Sequence, residues 1–404
     1  MESATLQELA PSHVAMLGNQ KQRRFAYFLS SALVVAGTIL VDWRLLRRAA
    51  TYPDAPIMAV DWYEPKAPVK GQLREPLPTS TEPLPPEFTA ALKQVSDYTA
   101  ARNSTGLLVM HQGEIVWEEY WQGYDANSPF NAMSMSKTIA GLLVGIAIEE
   151  GAIASVDDLA SQYLLEWQQD DRRIISLQDL LYMQSGLRNE RRTDTPTSDL
   201  VQMYVGSDVA HTALNIPLAI PPGQTFEYNN VNTQILALIL QRATGVAYPE
   251  YLATHLWQPL GAQDASIWLD RPQGTAKTFC CLFATIHDWA RVGQLFLSEG
   301  QVGNTQVVPA DWIKAMLTSS PLEPTFGHHI WVKARTADYP NVDQASTNPF
   351  LAEDTFYLDG RGLQRVYVIP SQALVIVRMG ENPATWDDAM IPNTLVKALM
   401  NTQR

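Results

Sequence analysis

At 404 residues, with 46% hydrophobic and 18% charged residues, the chain can bury a large core and lacks the composition of a disordered segment. A formal net charge of -13 argues against a phosphate-binding surface, which needs clustered Lys and Arg, so no nucleic-acid partner is expected. The two cysteines are neighbours, Cys280 and Cys281, and the histidines form no ligand pattern, so neither a disulfide framework, a metal nor an organic cofactor is expected.

Residues 1–24 read as a tail. Residues 25–41, FAYFLSSALVVAGTILV, are uncharged, mostly apolar and preceded by Lys21, Arg23 and Arg24. That length lies at the short end of a bilayer-spanning helix and is long for a signal-peptide core. No small-residue cleavage site follows, and Asp42-Trp43-Arg44 comes instead. The expectation is an uncleaved single-pass anchor in the inner membrane, with a cleaved signal or a buried core helix as alternatives. Arg44, Arg47 and Arg48 match the basic residues on the other side, so charge alone does not orient it. A large following domain crosses regardless of nearby charge, which places it on the extracytoplasmic side.

Residues 42–87 are proline-rich over most of their length and lack sustained periodicity, so they are expected to form an extended linker. A chain beginning near Pro85 is then expected to be soluble and active. The folded domain is expected over 88–404. Within it, 106–123 reads as a hairpin turning at Gln112-Gly113. The stretch 131-NAMSMSKTIAGLLVGIAIEEG-151 reads as a buried helix, apolar on every side and ending at Gly151. Residues 152 to about 320 are mainly helical in pattern. They include a helix over 231–245 stopped by Gly245, and another opened by Thr285 with Asp288 in a capping box. Strand signals return at 328–334, 354–360 and 363–380, the last with a turn at Pro370-Ser371, and an amphipathic helix is expected over about 385–401. The fold class is therefore α/β (α+β). One antiparallel sheet is built from both chain ends and flanked by helices, with an inserted all-helical lobe.

Chemistry concentrates in three places. Ser134 and Lys137, spaced i and i+3, share one helical face, whereas Ser136 points elsewhere. A lysine in the first turn of a helix opposes the macrodipole, and desolvation also favours the neutral amine, which can then take a proton from a serine hydroxyl. The backbone N–H of Ser134 is placed to meet a developing oxyanion. The plainer alternative is that Ser134 caps the helix while Lys137 reaches out to water. The second place is Tyr228-Asn229-Asn230, which follows the Pro221-Pro222-Gly223 turn and puts a phenol and the Asn230 amide on one side of an extended segment. The phenol can relay protons if a nearby cation lowers its pKa, and the amide can hold a substrate carbonyl. A second Tyr-x-Asn, at Tyr339-Pro340-Asn341, lacks this turn-then-helix setting and is discounted. The third place is the strand ending in Leu358-Asp359-Gly360.

Taken together these stretches resemble the serine β-lactamase and penicillin-binding-protein superfamily, nearest to its class C-like branch of esterases, D-aminopeptidases and 6-aminohexanoate-dimer hydrolases. The resemblance covers roughly 88–400 and includes 180-LLYMQSGL-187, 279-FCCLFATIHDWARVGQLFLSEG-300 and 356-FYLDGRGLQRVYVIP-370. It implies an amide or ester hydrolase acting on a small molecule, with no protein partner inferable. Ser134 would be acylated, Lys137 and Tyr228 would share proton transfers, and Asn230 and Gly360 would line the substrate site. The N–H of Arg361 would complete the oxyanion hole. A DD-peptidase, a β-lactamase, or a non-catalytic sensor of the same fold are the alternatives. One departure stands out: Leu358-Asp359-Gly360 occupies the place of the family's Lys-Thr-Gly or His-Thr-Gly. The glycine, expected to let substrate approach the strand, is kept and the cation is absent. Arg361 is the alternative source of that charge, its side chain swinging in to replace the lost cation, but it is expected on the same face as Asp359, where the two could neutralise each other.

Overall fold

In the computed structural model, residues 42–335, 346 and 348–402 are described. The expected anchor at 25–41 and the discounted Tyr339-Pro340-Asn341 lie outside them, and no helix among the described residues is long and apolar enough to cross a membrane. The principal helices are α1 (Trp43–Ala50), α2 (Pro86–Ala100), α3 (Ser136–Glu149), α4 (Asn230–Thr244), α5 (Ile286–Leu297) and α6 (Met390–Thr402). The strands are β1 (Lys66–Val69), β2 (Ser104–His111), β3 (Glu114–Tyr120), β4 (Phe130–Asn131), β5 (Ala265–Trp268) and β6 (Leu282–Ala284). After a small hairpin, β7 (Gln301–Val302) and β8 (Thr305–Gln306), come β9 (Phe356–Gly360), β10 (Gln364–Ile369) and β11 (Leu374–Gly380).

The main sheet joins the chain ends, in the antiparallel order β3-β2-β11-β10-β9. Gln112 and Gly113 both take positive φ (54° and 86°), the backbone that a tight hairpin matched to strand twist requires. Alternation along the strands then divides the core. Leu108, Met110, Val366, Val368, Val375 and Val377 face the central helices, with Trp289 and Val292 of α5 in the same cluster. Leu107, Val109, Tyr367, Ile369, Leu374 and Ile376 face α2 and α6, against Phe88, Leu92, Val95, Ile391, Leu395 and Leu399. With both faces covered, the strands read as continuous apolar runs, which is why their signal in the sequence is strong. Helix α3 is buried from Ser136 to Ala147, as its unbroken apolar surface predicts, and Gly151 follows it at φ 74°.

Several expectations are corrected. The inserted lobe is not all-helical, because β5 and β6 join β1 and β4 in a second sheet of order β1-β5-β6-β4. Residues 328–334 form no strand. His329 takes φ 59°, and its ring is held in the core by Leu181 O and Thr233 Oγ1 at 2.9 and 3.0 Å. Only Trp331 makes isolated bridges, to Phe326 and Tyr357. Helix α6 starts at Met390 because Asp388 just before it is drawn into the core by Arg365, 2.8 Å away. Cys280 and Cys281, from which no disulfide framework was expected, are buried and joined to each other as a disulfide.

The largest correction is the proline-rich linker. Residues 43–69 pack onto the domain, with Leu45, Ile57, Tyr63 and Val69 buried and β1 paired along β5 from Lys66↔Trp268 to Val69↔Ala265. Arg48, counted above with the charges flanking a membrane span, is buried instead. It donates to Val205 O and Gly206 O at 3.2 and 3.1 Å and to Glu64 O at 3.1 Å, and lies 4.9 Å from the Trp268 ring centroid. Prolines hid this packing by breaking the periodicity that marks an element. A chain beginning at Pro85 is therefore expected to melt well below one beginning at Asp42, since each lost apolar side chain removes about 1.5–3 kcal/mol of burial. Equal melting temperatures for the two chains would contradict the packing role of residues 42–84.

Candidate active site

The segment carrying Ser134 begins where β4 ends. Asn131 accepts the Met133 N–H at 3.0 Å, and the chain turns through a 3-10 turn, Met133–Met135, directly into α3. No side chain caps this helix, so Ser134 is not its N-cap, and the first-turn N–H groups are the ones a helix leaves without internal partners. Lys137 does not reach water. It is 2% exposed, with Nζ 2.8 Å from Ser134 Oγ and 2.8 Å from the Phe279 carbonyl. Burial lowers its pKa to about 7, opposed in part by the charge of Asp359. Ser136 faces the other way, its Oγ accepting the Leu282 N–H at 3.3 Å.

Tyr228 arrives from the segment before α4. Its phenol interacts with the Ser134 side chain, and its ring lies 4.9 Å from Lys137 Nζ. The expectation that a cation lowers its pKa is reversed. Burial, followed by the charge of Asp359, raises it well above the ordinary phenol value, so the hydroxyl keeps its proton. Asn229 caps α4, accepting the Val231 N–H at 3.1 Å and donating to Leu187 O at 3.2 Å. This leaves Asn230 free to line a cavity of about 260 Å³ together with Ser134, Tyr228, Arg188, Glu190 and Arg191.

Gly360 ends β9, and a Cβ there would stand 2.3 Å from Ala132 O. The glycine thus lets the strand reach the backbone beside Ser134, a different reason from the substrate approach expected above. Arg361 lies past the strand end, exposed, in a turn where Gly362 and Leu363 take φ 84° and 61°. Strand alternation stops there, so Arg361 does not neutralise Asp359. Asp359 instead pairs with Arg335 Nη2 at 2.8 Å and with Arg365, which in turn holds Asp388 at 2.8 and 2.9 Å. Leu358 is fully buried.

The structure thus brings Ser134, Lys137, Tyr228 and Asn230 together and sets Gly360 beside them. Sequence reasoning missed Trp331, Arg335 and the Arg365–Asp359 pair. One signal was available: Arg365 interrupts an apolar run, and a charge inside a buried strand requires a partner. Burial lowers the pKa values of His328 and His329 to about 4 and 3, and the His329 ring nitrogens are taken up by Leu181 O and Thr233 Oγ1. Among the described residues no group of acidic, histidine or cysteine side chains could hold a metal. Neutral amine, hydroxyl and phenol within hydrogen-bond reach can together move a proton off a serine oxygen.

A family model described as "Beta-lactamase" matches residues 89–395. A 6-aminohexanoate-dimer hydrolase of Paenarthrobacter ureafaciens is 30% identical over 228 residues, which cover 54% of this chain and 57% of that protein. The chain thus spans little more than half of that relative, and less of a beta-lactamase-like protein from Dictyostelium discoideum, 25% identical over 178 residues, or 40% and 32% of the two chains. Among solved structures, a Bacillus anthracis protein provisionally named a 6-aminohexanoate-dimer hydrolase superposes with TM-score 0.71 at 20% identity, covering 87% of this chain and 96% of that one. A family VIII carboxylesterase gives 0.60 at 15% identity, covering 80% and 99%. With the family model spanning most of its length and the fold shared, this chain belongs to the beta-lactamase family.

Proposed function

We propose that the chain is a serine hydrolase that cleaves an amide or ester bond of a small molecule through an acyl-enzyme on Ser134. The observation that carries this reading is the 2.8 Å contact between Ser134 Oγ and a buried Lys137 amine whose pKa lies near 7. In the neutral form one N–H keeps the bond to Phe279 O while the lone pair takes the serine proton. Ser134 Oγ then bonds to the substrate carbonyl carbon, and the oxyanion is met by the N–H groups of Ser134 and Arg361. As the tetrahedral intermediate collapses, the leaving group takes a proton passed from Lys137 through the Tyr228 hydroxyl, and Asn230 holds the substrate's carbonyl. Water then hydrolyses the acyl ester by the same proton path in reverse. The hydrolase names of the relatives support the reaction class.

Substrate choice follows from β9. Leu358 is buried and Asp359 is held by Arg335 and Arg365, so β9 offers no cation at the family's position, and the cavity's Arg188 and Arg191 are engaged by Asp199 and the Tyr228 carbonyl. A charge-assisted hydrogen bond missing at that point forfeits about 1.5–3 kcal/mol. Short esters and neutral or cationic amides are therefore expected to turn over far better than penicillins or cephalosporins. The test compares kcat/KM for p-nitrophenyl acetate and nitrocefin on one preparation. A nitrocefin value of about 10⁶ M⁻¹s⁻¹ or more would overturn the substrate argument. Absence of any adduct with a fluorophosphonate would instead favour a binding domain.

We also propose that residues 25–41 anchor the protein in the inner membrane with the hydrolase domain outside the cytoplasm, on the strength of their length and apolarity. The full-length protein is then expected to resist extraction by alkaline carbonate. A mature N-terminus beyond residue 41 would refute this.

A further inference from the structure

The strand cation of the family is absent here, yet a cation still stands behind the tyrosine. Tyr228 is stacked on Trp331, with ring centroids 5.8 Å apart and planes at 28°. The Arg335 guanidinium lies 4.2 Å from the Trp331 ring centroid. Lys137 Nζ stands 4.9 Å from the Tyr228 centroid, so a cation, two stacked rings and the buried amine follow one another in space. The guanidinium is itself held on two sides, by Asp359 Oδ2 at 2.8 Å and by the Tyr357 hydroxyl, which accepts from its Nε at 3.0 Å. Trp331 is tied to the same strand through its backbone. Its N–H donates to Tyr357 O at 3.2 Å, and its carbonyl accepts the Tyr357 N–H at 2.8 Å.

We infer that Arg335 is a positioning residue for the tyrosine: anchored by Asp359 and Tyr357, it pins Trp331, and Trp331 holds the Tyr228 ring at the angle that points its hydroxyl at Ser134. This rests on the proton-transfer role given to Tyr228 above. Phe326 meets the Tyr228 ring only edge-on at 6.1 Å, so without the flat stack the phenol would swing by more than the fraction of an ångström that proton transfer tolerates, and misplacement by about 1 Å can cost on the order of 10²-fold in rate. Asp359 gains a second meaning. At the place of the family's Thr it does not meet substrate; it orients the arginine. An arginine suits this place better than a lysine because its planar group can lie on a ring and bond a carboxylate at once.

The inference is tested with Arg335→Gln, Arg335→Lys, Tyr228→Phe and the double variant Arg335→Gln/Tyr228→Phe, by kcat and KM for p-nitrophenyl acetate. Arg335→Gln is expected to lower kcat on the order of 10²-fold with KM changed little, and Arg335→Lys to recover part of the loss. On the Tyr228→Phe background Arg335→Gln is expected to cost nothing more, since the group it positions is gone. Arg335→Lys keeps a cation in the cluster, so a partial loss in that variant, at an unchanged melting temperature, carries the result even if Arg335→Gln folds poorly. Unchanged kcat in both arginine variants, or losses that add in the double variant, would overturn the inference. The reading beneath it is scored separately by mass spectrometry of the wild-type adduct: an adduct on Ser134 with additive losses defeats the positioning role alone, whereas no adduct on Ser134 defeats the acyl-enzyme reading with it.

Discussion

Replacing Ser134 by alanine is expected to abolish acylation, with kcat falling about 10⁶-fold, the cost of removing a nucleophile that works as a unit with its base. Ser136→Ala is the matched control. Its hydroxyl accepts the Leu282 N–H at 3.3 Å and faces away from Lys137, so the loss is one neutral hydrogen bond, about 1 kcal/mol of stability, with most activity kept. Mass spectrometry after a fluorophosphonate decides between the two serines, and an adduct on Ser136 would sink the assignment. The same base sets a pH dependence. Lys137 must be neutral to accept the serine proton, and burial lowers its pKa from 10.5 to about 7. The rate of Ser134 labelling is therefore expected to rise with pH through about 7 and level off above it.

Tyr228→Phe is expected to lower kcat about 10²- to 10⁴-fold while leaving the fold intact. The ring keeps its stack on Trp331 and its edge contact with Phe326, and only the hydroxyl that meets Ser134 is deleted. Because burial keeps the phenol protonated, its role is to hand on a proton held by the lysine, and the loss should fall on kcat rather than KM. Near-normal kcat with an unchanged melting temperature would refute the role.

The central sheet and the reactive pair were both legible before any coordinates. The sheet was readable because strands covered on both faces leave apolar runs at 107–110, 366–369 and 373–377, and because Gln112-Gly113 and Pro370-Ser371 mark turns between neighbouring strands. Ser134 and Lys137 were readable because two polar residues three apart at the head of a wholly apolar helix are costly unless they serve each other. Segments whose order comes from distant partners were not legible. Residues 51–69 carry no sustained period, and the segment from 43 to 69 is placed because Arg48 finds carbonyls at 205 and 206 and β1 finds the edge of β5. Cys280 and Cys281 are adjacent in any reading, and only the fold joins them.

Local pattern by itself singled out the candidate residues of this protein: a serine, a lysine three positions on, and a tyrosine two before an asparagine, each beside a buried helix. Tertiary structure alone decided their electrical state and their company. Desolvation depends on everything packed around a group, so the lowered pKa of Lys137 and the raised one of Tyr228 exist only once the core has closed. Asp359 likewise had a neighbour in sequence, Arg361, that strand alternation favoured. The chain turns one residue too soon, and Arg365 of the next strand and Arg335 from the irregular segment after Trp331 take that place.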